Sequence, residues 1–152
     1  MSERMCAADR AESLFRAGYN CGQALVGAFA EEMKMPLETA MRISAGLGGG
    51  LCRMREACGA VSGAIVVLGY VLGNDDPEDY GNKSLVYALG QQMCFRFQDR
   101  FGTLNCGKLL GLPEGSVGSM PTPRTPDFYE KRPCLKYIRA MAEILEDTLK
   151  NN

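Results

Sequence analysis

The sequence contains no histidine, and this absence limits the available chemistry more than any other feature of the composition. Without an imidazole the chain cannot form Ser-His or Cys-His nucleophile pairs, two-histidine zinc protease sites, mixed Cys/His zinc fingers or histidine-ligated haem. Tryptophan is absent as well. Any chemistry must therefore use thiols, carboxylates, lysines or a bound cofactor.

A charge excess of either sign is also missing. The chain has 17 basic and 18 acidic residues and a formal net charge of −1. Nucleic acids and anionic membranes select clusters of Lys and Arg, so we expect neither as a partner. Charged residues including Arg4, Asp9 and Arg10 leave no apolar core for a secretory signal near the start. We expect a cytoplasmic protein.

Cysteine, in contrast, is plentiful. The chain has seven cysteines among 152 residues, and 46% of all residues are hydrophobic. That length and composition predict one domain, spanning residues 1–152, that can bury its own core; the helical periodicity and the cysteines described below make it a helical redox-type domain. Thiols stay reduced in the cytoplasm, so these cysteines are expected to be ligands or redox groups rather than structural disulfides. The odd number leaves at least one of them unpaired.

The stretch from Gly46 to Gly73 organises the chain. It begins with a glycine-rich turn that no Lys-Ser or Lys-Thr pair follows, so a phosphate-binding loop is not favoured. The next segment, Ala57–Gly73, is uncharged and rich in glycine, which predicts a buried central helix rather than a membrane span. Small residues one turn apart should let a neighbouring helix approach closely. They are Gly59, Ala60, Gly63 and Ala64.

Apolar residues recur at helical spacing on both sides of this segment. We therefore predict an all-α single-domain bundle of six to seven helices around the central Gly/Ala-rich helix. Local signals place the ends of the other helices. These signals are a Ser2 cap for a helix over Glu3–Ala17, an Asn20 and Gln23 capping box, Pro36 opening a helix to Leu47, a helix over Asn82–Phe101 closed by Gly102, an irregular Gly111–Pro126 segment, an Asp127 and Glu130 capping box, and Pro133 before the last helix.

Four cysteines fall at predicted helix starts. Cys21 and Cys106 each follow an asparagine and precede a glycine, Cys58 opens the central helix, and Cys134 follows a proline. Unpaired N-H groups and the helix dipole lower a thiol pKa at such positions. Gly59 has no side chain, so a cofactor or a second sulfur could approach Cys58 closely. We predict that the four sulfurs form one redox or metal site, and that Cys6, Cys52 and Cys94 lie outside it.

The order Asn20-Cys21, then Cys58-Gly59-Ala60-Val61-Ser62-Gly63, then Asn105-Cys106, then Cys134 resembles the C_GCAxxG_C_C family of redox-active proteins. The resemblance covers Tyr19 to Leu145. It implies redox activity in a prokaryotic and often anaerobic setting. The pattern is also similar to the cysteine-rich part of split-Soret cytochromes, which implies a four-cysteine iron-sulfur site. A cytochrome role does not carry over, because the chain has no Cys-x-x-Cys-His motif.

Several kinds of site remain open at this point. Four thiolates in one place repel each other without a cation, so an iron-sulfur or zinc centre is one solution, although the spacing alone identifies no metal. Thiol-disulfide exchange without metal is a second, with the same four cysteines as redox thiols or with Cys52 and Cys58 as a pair across the glycine turn. A non-catalytic helical interaction module is a third. A redox partner of unknown identity is expected, and the exposed ends and the proline-rich loop suit a homodimer.

Overall fold

The computed structural model describes residues 4–152. Within this range the chain forms eight α-helices and one 3-10 turn, and its only β-type pairing is an isolated antiparallel bridge between Ala57 and Asn105. The all-α prediction is confirmed, with one helix more than expected. The helices are α1 Ala7–Arg16, α2 Cys21–Ala28, α3 Leu37–Ile43, α4 Gly59–Leu72, α5 Tyr80–Phe101, α6 Cys106–Leu109, α7 Pro126–Lys131 and α8 Cys134–Lys150, and the 3-10 turn is Ala45–Leu47.

Helix α4 is the central helix, as predicted, and it contacts α2, α5 and α8. Its inward side is almost free of large side chains at the start and becomes bulkier toward Val67 and Leu68. Around it pack the apolar faces of the other long helices, whose stripes follow the three and four residue steps of a helix. The largest fully buried side chains are Phe29, Phe97, Leu25, Met33, Leu68, Met93, Ile138, Met141 and Leu145.

Glycines allow α2 and α4 to touch. A Cβ atom at Gly59 would lie 2.5 Å from the Cys21 sulfur and 2.8 Å from the Leu47 carbonyl oxygen. At Gly63 a Cβ would lie 3.1 Å from Val26 Cγ2 and 3.2 Å from the Gly22 carbonyl oxygen. The smooth strip predicted for the central helix is therefore a close backbone contact, and it holds the first turn of α4 against the first turn of α2.

Side-chain caps fix where the site helices begin. Asn20 and Gln23 form the predicted reciprocal capping box at α2. Asn105 makes one of the two bonds of such a box at α6: its Oδ1 accepts the Lys108 N-H at 2.9 Å. Asp79 caps α5, which starts at Tyr80, two residues before the predicted start. The predicted end of α5 is confirmed, since Gly102 adopts the left-handed conformation with φ of 86°.

Three predicted ends were wrong. Helix α1 begins at Ala7, and residues Arg4 to Cys6 are not helical; the Ser2 cap and Glu3 lie outside the described residues. Helix α3 ends at Ile43 rather than Leu47, because the buried Ser44 hydroxyl donates to the Ala40 carbonyl at 2.6 Å and competes for the end of the helix.

The capping box at Asp127 was also wrong. Thr125 caps α7 by accepting the Phe128 N-H at 3.2 Å, and Pro126 takes the first helical position. A proline has no N-H to leave unpaired there, so Thr-Pro is a stronger start than Asp127. Helix α7 is separate from α8, which accounts for the additional helix.

Within residues 4–152 no helix is both long enough and apolar enough to cross a membrane.

The contact between α2 and α4 gives a stability test. Gly59→Ala places a methyl group against a sulfur and two backbone atoms, and overpacking of this kind costs about 1–3 kcal/mol. Gly69→Ala is the matched control in the same helix, because nothing lies within 4 Å of its Cβ position. There the better helix propensity of alanine should stabilise the fold by up to about 1 kcal/mol. Denaturant unfolding measures both changes, and equal effects would contradict the close contact.

Candidate four-cysteine site

The four cysteines singled out in the sequence line one cavity. Cys21, Cys106 and Cys134 are the first residues of α2, α6 and α8, and Cys58 is the N-cap of α4. Gly59 lies beside them, as expected. The wall is completed by Leu109, Leu110 and Tyr137. The structure thus brings together thiols that are widely separated in the chain, at the end of the bundle where four helices begin.

Backbone pairing between two loops aligns α4 with α6. The Cys58 N-H donates to the Leu104 carbonyl at 2.8 Å, and the Cys106 N-H donates to the Glu56 carbonyl at 2.6 Å. These two bonds flank the bridge between Ala57 and Asn105. Two cysteines almost fifty residues apart are therefore held by hydrogen bonds immediately next to them.

The glycine-rich loop between α3 and α4 has an unusual backbone. Five consecutive residues have φ between 48° and 76°, the left-handed region. Non-glycine residues there cost roughly 1–2 kcal/mol each, so hydrogen bonds within the loop must offset the strain. A Cβ at Gly50 would lie 2.5 Å from the Cys106 Cβ, which explains why glycine occupies that position. The five residues are Gly49, Gly50, Leu51, Cys52 and Arg53.

Backbone N-H groups face two of the sulfurs. Those of Gly49, Gly22 and Gly59 act on Cys21, and those of Ala60 and Val61 act on Cys58; each lowers the thiol pKa. Three N-H groups from two helix starts and the glycine loop thus meet at one sulfur. Such donors favour the thiolate over the thiol.

Burial nevertheless dominates the thiol pKa values. It raises the pKa of Cys21 and of Cys58, and it raises the pKa of Cys134 to about 12, with the neighbouring cysteines adding to the rise. The prediction that helix N-termini lower thiol pKa values identified a real effect at Cys21 and Cys58, but the net direction for these three cysteines was wrong because burial outweighs it. Cys21, Cys58 and Cys134 are therefore protonated at neutral pH unless a cation replaces their protons.

Tyr137 is a member of the site that sequence reasoning missed. Its hydroxyl donates to the Leu109 carbonyl at 3.0 Å, which ties α8 to α6, and its ring packs edge-on against Phe97 and Phe101. It lies three residues after Cys134, so the helical period alone places it on the same face. That spacing was the available signal.

The other three cysteines do not line the cavity. Cys6 and Cys52 are exposed, and Cys94 on α5 is partly buried against the core, as predicted. All seven are free thiols. An exposed Cys52 and a buried Cys58 give no geometric support to the pair considered across the glycine turn.

Four thiols are a suitable donor set for soft, sulfur-binding metals such as iron in clusters or zinc. Among residues 4–152, however, no three Cys, Asp or Glu side chains are grouped closely enough to hold one metal ion. The cavity has a volume of about 20 Å³, room for about one water molecule. The donor chemistry fits a thiolate-bound centre, while the side chains are not gathered around a single point.

The protein is thus a histidine-free helical bundle with four cysteines around one small cavity. Residues 19–148 match the family described as "Putative redox-active protein (C_GCAxxG_C_C)". The match covers most of the chain, and the protein belongs to this family. Comparisons with curated proteins and with solved structures give no match.

The raised pKa values predict slow alkylation. In metal-free folded protein, Cys134 should react with iodoacetamide about tenfold faster per pH unit from about pH 7 to pH 10, because its thiolate fraction keeps rising up to its pKa of about 12. In urea-unfolded protein the rate should level off above about pH 9, the ordinary cysteine range. Peptide mass spectrometry after timed alkylation measures both. A plateau near pH 7 in the folded protein would contradict the burial.

Proposed function

We propose that this redox-active protein uses Cys21, Cys58, Cys106 and Cys134 to hold an iron-sulfur cluster or another metal centre that carries electrons. The observation that supports this proposal is the convergence of four thiols from four helix starts on one cavity. Backbone N-H groups directed at the sulfurs of Cys21 and Cys58 add to it. When bound, such a cluster supplies one-electron oxidation and reduction.

The electrostatics of the site suit thiolate ligands that are charged only in the presence of a cation. Burial disfavours isolated thiolates, and the N-H groups favour them once their charge is balanced. Metal ions displace thiol protons on binding, so the raised pKa values do not prevent ligation but make it depend on pH. Tyr137, Leu109 and Leu110 line the cavity beside the four thiols.

The preference for a cluster over a single zinc ion comes from the resemblance to the cysteine-rich part of split-Soret cytochromes. A tetrahedral zinc with Zn-S bonds of about 2.3 Å needs sulfurs roughly 3.8 Å apart, and within the described residues no three thiols are grouped closely enough to hold one ion. A metal centre of either kind would therefore require the side chains around a cavity of about 20 Å³ to rearrange on binding.

Thiol-disulfide exchange is the second candidate, and the shared cavity is the observation in its favour. The four thiols line the same cavity, and a disulfide between two of them requires Cα atoms roughly 5.5 Å apart. The thiolate is the nucleophile in such exchange, so raised thiol pKa values make it slow at neutral pH. The interaction-module alternative explains the helical bundle but gives no reason for four thiols at one cavity.

Metal analysis of protein purified without oxygen tests the proposal. The wild-type protein should contain iron and acid-labile sulfide and absorb visible light, and Cys58→Ser should lose most of that absorption because one ligand is missing. Cys94→Ser is the matched control, since Cys94 is partly buried but outside the cavity. It should keep the full iron content.

Three other results would contradict the iron-sulfur proposal. Colourless, iron-free protein that also fails to take up iron and sulfide in reconstitution would reject the cluster. A reversible disulfide among the four cavity cysteines, found by mass spectrometry in the same sample, would establish the exchange mechanism instead. A sample with neither would leave the interaction module.

A further inference from the structure

Four arginines surround the thiol cavity, and we call them the arginine rim: Arg53, Arg55, Arg124 and Arg132. Arg55 Nη1 lies 3.8 Å from the Cys106 sulfur. Arg132 and Arg124 are close enough to Cys134 to lower its pKa, although burial has the larger and opposite effect. Arg53 is near Arg55, Arg132 and Cys106, and the two neighbouring arginines add to burial in lowering its own pKa.

The positive charge of the rim is not cancelled by ion pairs. Among the described residues, the carboxylates paired with arginine or lysine all have partners outside the rim. The rim side chains donate to neutral carbonyls instead: Arg53 to Gly118 at 2.9 Å, Arg55 to Ser116 at 3.3 Å and Arg124 to Tyr19 at 2.8 Å. These bonds hold the guanidinium groups in place while their charge remains.

The charge of this end of the molecule differs from that of the whole chain. Residues 49–56 and 103–134, which carry the rim and the loops beside it, contain six basic and four acidic side chains, a net charge of +2, whereas the chain as a whole has −1. The acidic ones are Glu56, Glu114, Asp127 and Glu130, and Asp127 is paired with Lys131.

Exposed apolar side chains lie on the same two segments. Leu51 and Met54 of the glycine loop are 49% and 56% exposed, and Val117 and Met120 of the loop after α6 are 57% and 78% exposed. Arg53 and Arg55 tie these two loops together. Methionine and arginine are enriched in protein interfaces. A small anion would contact the arginines but would not bury the four apolar side chains, so a protein partner fits this surface better.

We propose that the arginine rim and these apolar side chains dock an acidic protein that exchanges electrons with the thiol site. The purpose of this contact rests on the function proposed above; the contact itself rests on charge and exposure. With a redox centre held by the four cysteines, the reduced partner would lose one electron and the centre would gain it, with no bond made or broken. Opposite charges steer such a partner to the end of the bundle where the cavity lies.

Two electron-carrier proteins of opposite charge serve as probes: an acidic two-iron ferredoxin and basic cytochrome c. Calorimetric titration should show ferredoxin binding at about 50 mM salt that weakens about tenfold at about 300 mM salt, because the Debye length shortens. Cytochrome c should not bind. Arg53→Gln with Arg132→Gln should weaken ferredoxin binding about tenfold, and charge reversal at both positions should abolish it.

Lys150→Glu is the control for charge alone. Lys150 ends α8, about 24 Å along the helix from Cys134, and is exposed. It should leave binding unchanged, and circular dichroism should confirm that every variant is folded. Failure of ferredoxin to bind at low salt, equal binding of cytochrome c, or an equal loss in Lys150→Glu would overturn the proposal. Tight binding of pyrophosphate without ferredoxin binding would overturn it in favour of a small anion.

The result is separable from the proposed function. If the protein binds ferredoxin through Arg53 and Arg132 but holds no iron as purified and takes up none in reconstitution, the metal centre is rejected and the docking surface is kept. If the protein contains an iron-sulfur cluster but binds ferredoxin no better than cytochrome c, the metal centre is kept and the docking surface is rejected.

Discussion

The balance between burying thiols and keeping them able to carry charge underlies the architecture of this protein. Burial favours the protonated thiol, whereas directed N-H groups and a nearby cation favour the thiolate. The fold meets this requirement by starting four helices at one place. Each helix start has N-H groups without a partner in the helix, and these groups can donate to a thiolate and stabilise its negative charge.

Close packing of α2 against α4 is the second condition for the site. The absence of side chains at Gly59 and Gly63 lets the two helices approach until the backbone of one touches the other, and Gly22 leaves room for Leu47 of the 3-10 turn. Cys21 and Cys58 are brought together by that approach rather than by any bond between them. The small residues are therefore part of the site even though they carry no chemistry.

Local signals in the sequence predicted the parts of the site that depend on local structure. Asn20 and Asn105 announce helix starts because a short amide side chain can cap the backbone, and these starts were right. The uncharged stretch after Ala57 was correctly expected to be central. The left-handed run from Gly49 to Arg53 could not be predicted, because leucine, cysteine and arginine enter that region only when distant contacts compensate for the strain.

Contacts between residues far apart in the chain also determine the thiol pKa values and the arginine rim, which the sequence did not predict. The pKa values rise because of burial, which local position does not reveal, and the arginines become a rim only when loops far apart in the chain meet. Both Thr125 and Asp127 have side chains that can cap a helix; Thr125 is the cap because Pro126 after it takes the first helical position.

The order of the four cysteines along the chain has a consequence for biosynthesis. Helix α8 supplies the last of them, so a nascent chain emerging from the ribosome exposes Cys21 and Cys58 before Cys134 is made. During that interval these two thiols lack the other half of the site, and they are open to oxidation or to capture of the wrong ion. Completion of α8 closes the site, which makes its synthesis the step that separates a vulnerable intermediate from a protected protein.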